Sequence, residues 1–139
     1  MPTSGRSPTM PMMVRLRQDE EVSPTIRPPN SILIVVGREE FTPPQTFGGA
    51  RCVATVDCIA VGVLNVDDGP TVASFAQTSH PSLALLGEFT IESEGHLSLR
   101  DVFNREYDSI RVDVGAVQVT VVANDLTEPS EVTFIVGPG

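Results

Sequence analysis

Few side chains in this 139-residue chain are of types that do chemistry, and their spacing limits what they can do. Cys52 and Cys58 are the only cysteines. Their separation matches neither a zinc-binding pair nor a redox pair, both of which place two residues between the sulfurs. On an unbroken strand they would share a face about 20 Å apart, at roughly 3.3 Å per residue, beyond disulfide reach. Only a turn between them would join them, so the expectation is two reduced core thiols. His80 and His96 are the only histidines. His80 lies in a loop beside Ser79, and neighbouring side chains on a loop rarely converge as nucleophile and base. His96 falls on the outward phase of its strand, opposite Leu97 and Leu99.

Carboxylates are plentiful: Glu39 with Glu40, Asp67 with Asp68, Glu92 with Glu94. An acid–base pair needs a cleft that raises one pKa, and these positions are predicted to face solvent. The run Asn65-Val66-Asp67-Asp68-Gly69 starts like a calcium loop. It lacks the third alternating oxygen ligand and the distal bidentate Glu, so it reads as a hairpin turn. With no Lys in the chain, the lysine-dependent phosphate loop and Schiff-base chemistry are excluded. No catalytic, cofactor-binding or metal-ligating residue is assigned, and the chain is expected not to be an enzyme.

Charge narrows the partners. Eighteen acidic residues face nine Arg, for a formal charge of -9. Nucleic acid and anionic membrane surfaces would be repelled, because clustered Lys and Arg supply most of the affinity for phosphates. The balance favours basic partners or simple solubility. The first thirty residues show no apolar stretch of the roughly seven or more residues of a secretory signal, and no run approaches the roughly 20 of a membrane-spanning helix. The expected location is the cytoplasm.

The elements that must position these groups are strands. Residues 1–30 hold six of the twelve prolines and read as a flexible or extended arm, with a short strand possible at 13–16. Residues 31–139 change to Val, Ile and Thr with period-two alternation. SILIVV (31–36) fits a strand buried on both sides, and 38–49, with Pro43, Pro44, Gly48 and Gly49, a long loop. Residues 51–66 read as two strands with a break near Asp57, and 71–76 as the return strand of a hairpin turned at Asp68-Gly69. In 77–87, LALL fits a helical turn or a strand start. Phe89 and Ile91, Leu97 and Leu99, then Ile110, Val112 and Val114 are predicted to face inward. Val117, Val119 and Val121, and Val132, Phe134 and Val136, continue the pattern, and a helical turn is admitted only at 101–107. Eight or nine half-buried strands of this kind predict an all-β fold, an antiparallel β-sandwich.

The stretch RCVATVDCIAVGVLNVDDGPTVASFA, followed by GEFTIESEGHLSLRDVFNREYDSIRVDVGAVQVTVVAN, resembles the competence protein J family, inhibitors of a bacterial DNA-entry nuclease. The order carries the resemblance: a small-residue strand, an apolar strand at 61–64, a Gly-turn hairpin, an acid-Gly turn at Glu94-Gly95, a mixed connection at 102–107 and a strand–Gly–strand ending at 110–122. Phe41, Pro43 and Pro44 match an early loop. Gly115-Ala116 departs from it, since the family tends to place an aromatic after that Gly, and the arm has no counterpart. The resemblance implies a soluble acidic protein that blocks a basic nuclease or toxin. Carboxylates mimicking phosphates would steer association, and a buried anchor would supply affinity. Tyr107, the sole Tyr, flanked by Glu106 and Asp108 and near Asp101, is the candidate anchor in an acidic rim; alternatively it closes one end of the sandwich. The competing expectation is an assembly module, phage- or sheath-like, that forms homo-oligomers through the arm or sheet edges.

Overall fold

A computed structural model of the chain describes residues 24–78 and 82–137. Among the described residues ten strands form: β1 (Thr25–Ile26), β2 (Ile32–Val36), β3 (Cys52–Ala54), β4 (Cys58–Gly62), β5 (Thr71–Ala76), β6 (Ala84–Ser93), β7 (His96–Asp101), β8 (Glu106–Arg111), β9 (Gly115–Ala123) and β10 (Glu131–Val136). The described residues are all-β, with short 3-10 turns at Pro29–Ser31 and Val66–Asp68. Among the described residues no helix is long and apolar enough to cross a membrane. The strands make two five-stranded sheets, in the orders β1-β5-β10-β9-β6 and β3-β4-β2-β7-β8.

Alternation places one face of each sheet in a common core. Leu33, Val35, Ile59, Val61, Leu97 and Leu99 from one sheet pack in the same cluster as Ile91, Val117, Val119, Val121, Val132 and Phe134 from the other. Each such side chain contributes about 1.5–3 kcal/mol on burial, so Leu99→Ala alone would cost about 2–5 kcal/mol. β2 and β4 are apolar on both faces. Their outward residues Ile34, Val36, Cys58 and Ala60 form a second cluster, covered by Phe41 and Phe47 from the long loop after β2. The unbroken apolar run of β2 is thereby explained, with the loop acting as a third layer over that sheet.

Gly37 joins the two sheets. A Cβ there would lie 2.1 Å from the backbone oxygen of Glu92, so only glycine permits the approach. Gly37 N–H donates to the Asp57 carbonyl (3.0 Å), and its own carbonyl accepts from Glu94 N–H (2.8 Å).

Several expectations change. The strand at 71–76 forms but is no hairpin partner of β4. β5 lies in the opposite sheet, antiparallel to β1 and parallel to β10. Residues 66–68 make a 3-10 turn, N-capped by Asn65 accepting from Asp67 N–H (2.9 Å), that carries the chain between sheets. The Glu94-Gly95 turn crosses sheets likewise, since β6 pairs with β9 and β7 with β2 and β8. Neither sheet connection is therefore a tight hairpin, and the first sheet is mixed. Residues 101–107 contain no helical turn. Val114 is 77% exposed, because β8 ends at Arg111 and the chain swings away. LALL resolves as the start of β6. At the N-terminal side, Thr25–Ile26, read as arm, pairs with β5, and Ile26 enters the core. The expected strand at 13–16 and His80 lie outside the described residues.

Candidate functional site

The β7–β8 hairpin gathers all four residues singled out from the sequence, Asp101, Glu106, Tyr107 and Asp108, but gives them different tasks. Leu97 and Leu99 face the core, so Asp101 follows in the inward phase while Ser98 and Arg100 face outward. The chain turns through Val102, Phe103 and Asn104. Asn104 N–H donates to the Asp101 carbonyl (2.9 Å), and Asn104 itself has φ 70, a left-handed conformation Asn tolerates.

Asp101 fixes this turn. It is only 2% exposed. Its Oδ1 accepts from the backbone N–H of Phe103 (2.8 Å) and Arg105 (3.1 Å), and its Oδ2 accepts from the Tyr107 hydroxyl (2.6 Å). Burial works to raise the carboxyl pKa, but these three hydrogen bonds and the Arg105 charge outweigh it and hold the group below the ordinary carboxylate value. The Tyr107 pKa is pushed up to about 12, by burial first and then by its bond to, and the charge of, Asp101. Tyr107 packs its ring against the core, with the Arg105 guanidinium 5.6 Å from the ring centroid. Asp101, expected in an acidic rim, is buried instead, whereas Tyr107, the candidate anchor, is half-buried, bonded to Asp101 and packed against the core.

A bulge separates the two flanking acids. The register shifts between Leu99, opposite Asp108, and Arg100, opposite Glu106, so Tyr107 is an extra residue and the acids fall out of phase. Glu106 turns outward and accepts a short hydrogen bond from the Ser98 hydroxyl. Asp108 accepts from the N–H of Ser109 (2.8 Å) at the strand edge. Arg100, buried on the outer face, donates to Ser98 Oγ (2.8 Å) and Asn104 Oδ1 (2.7 Å), with Glu39 at 3.5 Å. This network ties the hairpin to the loop after β2.

The residue that sequence reasoning missed is Phe103. It stands 75% exposed at the hairpin tip, beside Val102. The signal was the turn chemistry itself: Asp at the first position and Asn at the left-handed one leave the two residues between them projecting outward. Between the tip and the loop after β2 lies a cleft of about 340 Å³, floored by Ile32, Ile34 and Ala60, walled by Phe41 and Phe47, with Val102 and Asn104 at the hairpin side.

His96 is exposed, as its phase predicted. Cys52 points into the intersheet core and Cys58 into the outer cluster, on opposite faces of one sheet, and both are free thiols. Among the described residues no group of three or more His, Cys, Asp or Glu is placed to hold a metal ion. The hairpin and the loop after β2 present an aromatic tip, an apolar cleft and nearby carboxylates. Compared with family models, curated proteins and solved structures, the chain matches none.

Proposed function

We propose that the protein is a cytoplasmic, non-enzymatic β-sandwich that binds a basic protein, of the kind a nuclease or toxin presents, through the tip of its β7–β8 hairpin. The observation that carries this reading is Phe103, a large aromatic held out in solvent by a turn whose conformation is fixed from within by Asp101. An exposed aromatic on a rigid support loses little entropy on binding and is a favoured interface anchor. Glu106, Asp108, Glu39 and Glu40 lie on the same hairpin and the adjoining loop, and the chain carries a net charge of -9, so a basic surface would be steered toward the tip. The resemblance to the competence protein J family points the same way. The free thiols agree with a reducing compartment.

The test is association kinetics with a basic partner recovered from the source cell. Phe103→Ala is expected to speed dissociation at least tenfold. Charge reversal at Glu106 and Asp108 is expected to slow association, increasingly so at low salt, because screening extends over only about 8 Å at physiological ionic strength. Binding that ignores salt and all three positions overturns the reading. A second reading, a homo-oligomeric assembly module, draws support from β6, a ten-residue strand at the edge of its sheet. A ring or filament in light scattering would favour it, and a monomer would remove it.

A further inference from the structure

We propose that the cleft between the β7–β8 hairpin and the loop after β2 is a docking site for the chain's own residues 10–17, so that the protein covers its recognition surface with its N-terminal segment. The cleft is apolar at its floor and walls, where Ile32, Phe41 and Phe47 are only partly covered by their neighbours. Acidic side chains stand beside it: Glu106 of the hairpin and Glu39 of the loop meet Ser98 and Arg100 next to Asn104, which lines the cleft.

Residues 10–17 read MPMMVRLR, five large apolar side chains with Arg15 and Arg17 and no acid. This composition complements both features of the cleft. All four methionines of the chain lie within residues 1–13. Unbranched and polarisable, Met adapts to irregular apolar surfaces and is favoured in segments that dock reversibly. Geometry permits the contact. Ile32 lines the cleft and is eight residues from Pro24, so the two are at most roughly 28 Å apart, whereas Met13, eleven residues before Pro24, reaches roughly 38 Å. The difference leaves slack for passage around a sheet edge. Arg27, donating to the Val66 carbonyl (3.0 Å), anchors the chain at its entry into the body, so the segment is held at high effective concentration.

The inference goes beyond the basic-partner reading, since it concerns the purified chain alone. A photoreactive benzophenone side chain placed at Gln45, an exposed residue on the cleft, in the full-length protein tests it. Irradiation is expected to give a product of monomer mass in which residue 45 is joined to a peptide from residues 10–17. The yield is expected to fall at least threefold in a Met12→Asp/Met13→Asp variant, and likewise in an Arg15→Glu/Arg17→Glu variant. Unchanged circular dichroism and unfolding would show that both remain folded. Cross-links that avoid residues 10–17 overturn the proposal. A product of dimer mass only, assigning the cleft to a second copy, also overturns it, as does a yield indifferent to both variants.

Discussion

Tyr107→Phe removes one hydroxyl and leaves the rest of the hairpin in place. The lost bond is 2.6 Å long and runs to a carboxylate that is 2% exposed. Hydrogen bonds to charged groups contribute about 1.5–3 kcal/mol, and Asp101 keeps its two backbone donors, so a cost of about 2 kcal/mol is expected near neutral pH. For a chain of this length that lowers Tm by roughly 6–10 °C. The pH dependence sharpens the test. The folded Asp101 pKa is depressed, so its contribution is complete above the unfolded value near ~4 and is lost as pH falls through the folded one. Tyr107 has the opposite sense: its contribution is complete below ~10, the unfolded value, and is lost as pH rises through about 12. The gap between wild type and Tyr107→Phe should therefore be widest from pH 5 to 9, roughly, and narrow toward both extremes. Unfolding followed by far-ultraviolet circular dichroism at acid, neutral and alkaline pH measures it. Because Tyr107 is the sole tyrosine and the chain has no tryptophan, tyrosinate absorbance gives an independent reading. In wild type its midpoint should lie near 12 and in Asp101→Asn it should move toward ~10. A variant within about 0.5 kcal/mol of wild type at neutral pH, or a gap that is flat with pH, would refute the coupling.

Gly37→Ala should destabilise by about 3 kcal/mol in denaturant unfolding, because its Cβ would meet the Glu92 carbonyl at 2.1 Å, a backbone atom with little room to move; a cost near zero would contradict this. Burial pushes the thiols of Cys52 and Cys58 up to about 12, with the Asp57 charge adding to the effect at Cys58. Thiol titration at neutral pH should find neither residue reactive in the native protein and both in denaturant. Fast native labelling, or a disulfide between them, would contradict the placement on opposite faces.

The strands were legible wherever local pattern alone decides. SILIVV became β2, the break at Asp57 separates β3 from β4, and Val117, Val119 and Val121 line the core face of β9. The candidate site was legible only as a location. The four residues singled out do share one hairpin, but the bulge at Tyr107 puts Glu106 and Asp108 out of phase with each other. Strict alternation has no means of locating an extra residue. Phe103 escapes a reading that admits a helical turn at 101–107, whereas Asp101 and Asn104 are the residue types a tight three-residue hairpin loop favours.

The sequence by itself determined that this chain builds strands, where most of them run, which faces are apolar, and that its body is strongly acidic. These follow from side-chain period and composition, which each segment carries without reference to the rest. Tertiary structure alone decided which strands pair. An Asp-Gly or Glu-Gly turn has the same local chemistry whether the chain folds back on its own sheet or crosses to the other one. The choice is made by burial: β5 enters the opposite sheet, where Ala73 and Phe75 pack beside Phe134, and its parallel pairing with β10 joins segments some sixty residues apart. The same distinction explains Asp101 and Tyr107. Their types announced an acid and an aromatic, but only the closing of the core end made one the buried acceptor of the other.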